Sequence, residues 1–174
     1  VALSFILLTL VPPGPLDRQI DPRLGGLALP VWPRLAGSAA CLLLVVGLLY
    51  VGIVGSRDPL SNPLPLMVWT VFWIGLTLVQ GVLGNLWWWI NPLYAPWRLV
   101  AALRGSQRPV VALPRRLGYW PAILLFAGFA WFELVYPAPD DPERLAYVLG
   151  TYLALNAVAV VIFGYEDWTK RGEC

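Results

Sequence analysis

Four apolar stretches, each long enough to cross a bilayer, constrain this chain more than any other feature. They run from Leu35 to Val54, from Leu66 to about Trp87, from Tyr119 to Tyr136 and from Leu145 to Gly164. A helix rises ~1.5 Å per residue, so about 20 apolar residues are needed to cross a hydrocarbon core of ~30 Å. We therefore predict four complete transmembrane helices.

The composition supports a membrane protein and argues against a water-soluble domain. The chain is 59% hydrophobic and 13% charged, whereas an average soluble domain is about 25% charged. The apolar stretches do not alternate apolar and polar positions as the strands of a membrane barrel would. The predicted fold class is all-α, a polytopic α-helical membrane protein.

The opening run "VALSFILLTLVPPGP" has no basic residues at its start and no small-residue cleavage site, which argues against a signal peptide. We interpret residues 1–11 as the end of a truncated fifth transmembrane helix. The chain also lacks an initiator Met and stops at "RGEC". We therefore expect residues 1–174 to be a single transmembrane domain fragment that lacks both ends.

The basic residues are distributed unequally between alternate connections. Only Arg57 and Arg144 fall on one side of the predicted spans, and ten of the twelve basic residues fall on the other: Arg18, Arg23, Arg34, Arg98, Arg104, Arg108, Arg115, Arg116, Lys170 and Arg171. Because cytoplasmic connections are enriched in Lys and Arg, we predict a multi-pass protein of the bacterial cytoplasmic (inner) membrane, with the C-terminal end of the fragment in the cytoplasm.

Three consecutive tryptophans, Trp87, Trp88 and Trp89, lie at the predicted cytoplasmic boundary of the second span. Tryptophan side chains prefer the headgroup level, and consecutive helical residues point about 100° apart. We predict that these three and Trp97 are interface anchors. After Asn91 and Pro92, residues from about 93 to 104 are predicted to form an interfacial helix, which either connects the spans or binds anionic lipid.

A few polar side chains fall within or beside the apolar stretches: Gln80, Asn85, Asn91, Glu133 and Asn156. A carboxylate at membrane depth costs a few kcal/mol unless it is paired, protonated or near water. Glu133 is therefore the candidate catalytic residue, with a structural hydrogen bond or an interfacial position as the alternative. The amides of Gln80 and Asn156 are expected to join neighbouring helices.

The sequence excludes several kinds of site. Histidine is absent, so a Ser-His-Asp or Cys-His apparatus cannot be built from these residues. Cys41 and Cys174 are far apart, and we predict no metal site and no disulfide framework. The sequence identifies no cofactor.

Several stretches resemble a family of bacterial polytopic membrane proteins known as fenitrothion hydrolases. They are "NPLPLMVWTVFWIGL" at 62–76, "LGNLWWWINPLYAPWRL" at 83–99, "RRLGYWPAILLFAGFAWFELVYPAPDDPERLA" at 115–146 and "FGYEDWTKRGE" at 163–173. The resemblance covers nearly all of residues 38–174. It implies hydrolysis of an organophosphorus ester with release of a nitrophenol, but it assigns no catalytic residue.

Three functions remain open at this point. The first is a membrane-bound hydrolase, as the resemblance implies. The second is a transporter or channel component, which requires Gln80, Glu133 and Asn156 to face a common cavity. The third is an accessory or scaffold membrane protein. In each case we expect the lipid bilayer as a partner, a homo-oligomer or membrane complex as an option, and no nucleic acid.

Overall fold

A computed structural model describes residues 31–171, and this part of the chain folds into helices with no strand. The predicted partial span at residues 1–11 lies outside the described residues. The helices in chain order are α1 (Val31–Val54), α2 (Pro63–Leu83), α3 (Trp87–Ile90), α4 (Tyr94–Leu103), α5 (Trp120–Val135), α6 (Pro142–Phe163) and α7 (Tyr165–Arg171), with a 3-10 turn at Arg115–Leu117.

Three of the helices, α1, α2 and α6, are long and apolar enough to cross a membrane. The remaining predicted span, from Tyr119 to Tyr136, corresponds to α5, which is apolar but has only 16 residues. That length is below the roughly 17–25 residues that a membrane-crossing helix normally needs. The all-α prediction is confirmed for residues 31–171, and three of the four predicted spans have the length and composition of a transmembrane helix.

The bounds of α2 differ from the prediction at both ends, for reasons of local capping. The helix begins at Pro63 because the Asn62 side chain accepts a hydrogen bond from the Leu64 N–H at 3.0 Å. It ends at Leu83 because Gly84 adopts a φ of 85°, a conformation that favours glycine. The predicted end at Trp87 was therefore wrong by about one turn, and the three tryptophans lie beyond the span.

The middle of α2, Leu66–Leu76, is a π-helix. This wider segment carries Trp69 and Trp73, whose rings contact Phe129 of α5 with centroids 5.5 and 5.1 Å apart. Sequence periodicity cannot distinguish such a segment from an α-helix, because it is apolar on every side. The sequence therefore did not indicate this π-helix.

Helices α1 and α6 form the central pair of the bundle, and α3 and α4 pack across the first turns of α1. Two clusters of buried side chains form the core. One joins α2, α5 and α6 through Leu64, Val68, Phe132, Leu145 and Ala146. The other joins α4, α6 and α7 through residues that include Tyr94, Val160, Tyr165 and Trp168.

The alternating helix directions give the bundle two ends. The start of α1, residues 84–118 and α7 lie together at one end, which we call the basic end. Two observations show this placement: the Val110 and Val111 N–H groups donate to the Ile162 carbonyl, and the start of α1 contacts α3 and α4. Residues 55–62 and 136–141 lie at the opposite end. The helix order therefore places Arg57 and Arg144 away from every other basic residue of the described part.

Candidate functional site at the two ends of the bundle

The Arg34 side chain, near the start of α1, is held among aromatic rings at the basic end. Its guanidinium lies 4.0 Å from the ring centroid of Trp88, 3.7 Å from that of Tyr94 and 5.2 Å from that of Tyr165. Its Nε also donates to the Trp88 carbonyl at 3.0 Å. Cation–π attraction and the hydrogen bond together fasten α1 to α3, α4 and α7.

One turn further along α1, the buried hydroxyl of Ser38 connects the same elements. Its Oγ donates to the Asn91 carbonyl at 2.6 Å and accepts from the Ala95 N–H at 2.8 Å. The Asn91 side chain accepts from the Leu93 N–H at 2.9 Å. These bonds satisfy backbone groups in the break between α3 and α4, where no helical partner is available to them.

The side-chain amide of Asn156, which was predicted to lie within a span, is fully buried and forms hydrogen bonds within the protein. Its Oδ1 accepts from the indole Nε1 of Trp168 at 2.8 Å, and its Nδ2 donates to the Tyr152 carbonyl at 2.9 Å. The amide therefore joins α6 to α7, which agrees with the prediction that it connects neighbouring helices. Its partner, however, is an indole on a short helix and not a second span.

The predicted interface anchors have different surroundings. Trp87 contacts Phe72 of α2 edge-on, whereas Trp88 stacks on Arg34 and also contacts Trp89. Trp97 packs against the buried cluster at the basic end and contacts Tyr94 and Tyr165. Asn85 accepts from the Trp88 N–H at 3.0 Å and so caps α3. All four tryptophans are half-buried, so they also pack within the protein.

Gln80 and Glu133 are both half-buried, and neither has a hydrogen-bond or ion-pair partner among residues 31–171. Gln80 is one turn from the end of α2 at the basic end, and Glu133 is two residues from the end of α5 at the opposite end. Asn156 lies roughly 20 Å along α6 from its start at Pro142, at ~1.5 Å per residue. The structure therefore does not bring these three side chains to a common cavity.

A polar cavity of about 350 Å³ opens at the opposite end of the bundle. Five residues line it: Arg57, Asp141, Glu143, Arg144 and Tyr147. Arg57 forms an ion pair with Glu143, and Arg144 donates to the Tyr136 hydroxyl at 2.6 Å. The Asp141 side chain accepts from the Arg144 N–H at 3.0 Å and caps α6. This cavity offers guanidinium donors and carboxylate acceptors within one volume.

The turn beside this cavity is ordered by Asp58. The Ser61 hydroxyl and the Leu60 N–H donate to its carboxylate, and these hydrogen bonds lower the pKa of Asp58. Charge-assisted bonds of this kind favour the ionised carboxyl. The turn leads into Asn62, whose amide donates to the carbonyls of Val51 and Ser56. Asp58 and Asn62 thus hold the connection between α1 and α2.

No group of three or more His, Cys, Asp or Glu side chains in residues 31–171 is arranged to hold a metal ion. Several residues that organise the two ends were not predicted from the sequence: Arg34, Ser38, Asn62, Arg57, Glu143 and Trp168. A weak signal was present, since Arg34 and Ser38 are four residues apart at the start of the predicted first span, and this spacing places two residues on one face of a helix. Their partners are more than fifty residues away, and nothing in the sequence indicates them.

Comparisons with protein-family models, with curated proteins and with solved structures find no match to this chain.

Proposed function

We propose that the described helices form the structural scaffold of a multi-pass protein in the bacterial cytoplasmic membrane, as an accessory component and not as a path for solutes. One observation carries this proposal. The fully buried polar side chains Ser38, Asn91 and Asn156, and the nearly buried Asn62, each bond to groups of this chain. A solute pathway needs polar groups that face the solute. The four side chains named above instead face the backbone of this chain or Trp168.

The positions of the remaining polar residues support the same proposal. Gln80 and Glu133 each lie within about one turn of a helix end, so their polar groups reach toward headgroups and water. The distribution of arginines supports an orientation with the basic end in the cytoplasm.

The proposal is tested by comparing stability and transport in the full-length protein. We expect Asn156→Leu to reduce the yield of monodisperse protein in size-exclusion chromatography, and Gln80→Leu and Glu133→Gln to leave that yield unchanged. Proteoliposomes of the wild-type protein should release entrapped ions and small solutes no faster than empty liposomes. A solute flux that Gln80→Leu or Glu133→Gln abolishes would contradict the scaffold proposal.

A second candidate function is hydrolysis of an organophosphorus ester, which the family resemblance implies. The polar cavity at the opposite end favours it, because Arg57 and Arg144 could bind phosphoryl oxygens and Glu143 could accept a proton from water. Water would attack phosphorus and the bond to the nitrophenol oxygen would break. The cavity lies at the water-exposed end of the bundle, where a polar product can leave.

The hydrolase candidate is tested with washed membranes from cells that express the full-length protein. Release of nitrophenol from fenitrothion is measured for wild type, Glu143→Gln, Glu133→Gln and an empty vector. The control is Glu166→Gln, which neutralises an exposed carboxylate at the basic end. Release that falls only in the Glu143 or Glu133 variant supports an enzyme, whereas release no greater than that of the vector from well-inserted protein contradicts it.

A further inference from the structure

An apolar groove of about 160 Å³ lies between α4 and α6 at the basic end. Its walls include Pro96, Trp97 and Val100 from α4, with Ala157 and Val161 from α6. Such a wall offers an occupant dispersion contacts and no hydrogen bonds. The groove therefore fits an alkyl chain better than a polar solute.

The exposed side chains of α4 favour lipid as the source of that chain. Leu99 and Leu103 on α4 are 62% and 80% exposed, and exposed leucines on a short helix beside charged residues are typical of a helix at the boundary between headgroups and acyl chains. Trp97, which lines the groove, is half-buried and has an indole suited to the same level.

Two arginines lie close in the chain to residues of the groove. Arg104 follows Val100 by four residues and Trp97 by seven, so it continues the face of α4 that lines the groove. Arg108 is two residues before Val110, whose N–H, like that of Val111, donates to the carbonyl of Ile162, the residue after Val161. Both arginines are exposed, and neither has an ion-pair partner within residues 31–171.

The charge of this connection complements an anion. Residues 92–116 contain five arginines and no Asp or Glu, so no carboxylate of the connection competes for the guanidinium groups. A phosphate at the headgroup level attracts nearby basic side chains, and arginine binds phosphate through paired N–H donors. A ligand with one phosphate and an alkyl chain would satisfy both the arginines and the groove.

We propose that the groove between α4 and α6 is a binding site for an anionic glycerophospholipid. One acyl chain lies against Trp97 and Val100, and the phosphate lies between Arg104 and Arg108. The site rests on the proposed membrane location, with the basic end at an anionic leaflet. It does not depend on whether the protein is a scaffold or a hydrolase.

The test uses the purified full-length protein in nanodiscs that contain equal amounts of phosphatidylglycerol and phosphatidylcholine. Native mass spectrometry counts the lipids retained after release from the disc. We expect wild type to retain one phosphatidylglycerol. Arg104→Gln with Arg108→Gln should weaken its binding roughly 25-fold, at about fivefold for each basic residue near an anionic surface.

Two further variants separate a specific site from general attraction. Arg116→Gln with Lys170→Gln removes the same charge from the same end but outside the groove, and should leave the retained lipid in place. Val100→Trp fills the groove without changing charge, and should displace the lipid. The proposal is overturned if wild type retains both lipids equally, or if the control pair loses phosphatidylglycerol as fully as the Arg104 and Arg108 pair.

Discussion

The indole Nε1 of Trp168 donates a hydrogen bond to the side-chain oxygen of Asn156 at 2.8 Å, and both residues are buried. The bond joins α7 to α6 across Gly164, whose φ of 84° reverses the chain between the two helices. The amide nitrogen of Asn156 is occupied by the Tyr152 carbonyl. This polar contact within an apolar cluster therefore helps to fix the position of α7.

Replacement of Trp168 by Phe should destabilise the protein by about 1–3 kcal/mol, because it leaves the buried Asn156 oxygen without its donor. The measurement is the thermal unfolding midpoint in detergent. Trp131→Phe is the matched control, since Trp131 is 58% exposed and lies on α5. The double variant Trp168→Phe with Asn156→Leu should cost less than the two single costs added together, because it removes both partners. Strictly additive costs would contradict the coupling.

Removal of the Ser38 hydroxyl should have a similar cost. Ser38→Ala removes a fully buried hydroxyl, so the Ala95 N–H loses its acceptor and the Asn91 carbonyl loses a donor. We expect a loss of about 1–3 kcal/mol in the free energy of unfolding. Ser56→Ala, in the exposed turn after α1, is the control and should change stability by less than about 0.5 kcal/mol. If Ser38→Ala lowered the free energy of unfolding no more than Ser56→Ala does, the hydrogen bonds of the Ser38 hydroxyl would make no contribution to stability.

The aromatic surroundings of Arg34 predict a requirement for a planar cation. Arg34→Gln should lower stability by about 1–2 kcal/mol through loss of cation–π contact, and Arg34→Lys should recover only part of it. Unfolding followed by tryptophan fluorescence measures both effects, since Trp88 is one of the rings in contact. Arg116→Gln removes an exposed charge and is the control. Full recovery of stability by lysine would indicate that charge alone matters.

Two glycines of α1 should respond oppositely to alanine. A Cβ at Gly52 would lie 2.5 Å from Leu64 Cδ2 and 2.9 Å from Ala146 Cβ, so Gly52→Ala must displace α2 or α6. We expect destabilisation of about 1–3 kcal/mol from overpacking. A Cβ at Gly47 meets nothing within 4 Å, so Gly47→Ala should be neutral or stabilising by up to about 1 kcal/mol. Thermal midpoints of the two variants check this, and a stabilising Gly52→Ala would contradict the packing.

The helix positions were predictable because apolar length is a local property of the chain. The runs around α1, α2 and α6 each exceed what a bilayer requires, and the distribution of arginines agrees with the helix order. The bounds were less predictable, because they depend on local caps. Asn62 and Asp141 start α2 and α6 before the apolar runs begin, and Gly84 ends α2 before Trp87.

The candidate sites were only partly predictable. Asn91 and Asn156 were identified as polar residues that require an explanation, and the structure gives each a hydrogen-bond partner. The sequence could not indicate the Arg57–Glu143 ion pair or the groove between α4 and α6, because their residues are distant in the chain. The same holds for Arg34 and its three aromatic rings.

The sequence by itself determined that this chain is helical and apolar enough for a membrane, with its basic residues concentrated at one end, because hydrophobic length and charge act on each segment separately. Only the tertiary structure decided that Trp88 packs on Arg34 of α1, that Gln80, Glu133 and Asn156 stay apart, and that α4 and α6 enclose an apolar groove. These features depend on which helices meet and where a π-helix or glycine redirects them, and such contacts are not encoded in any single segment.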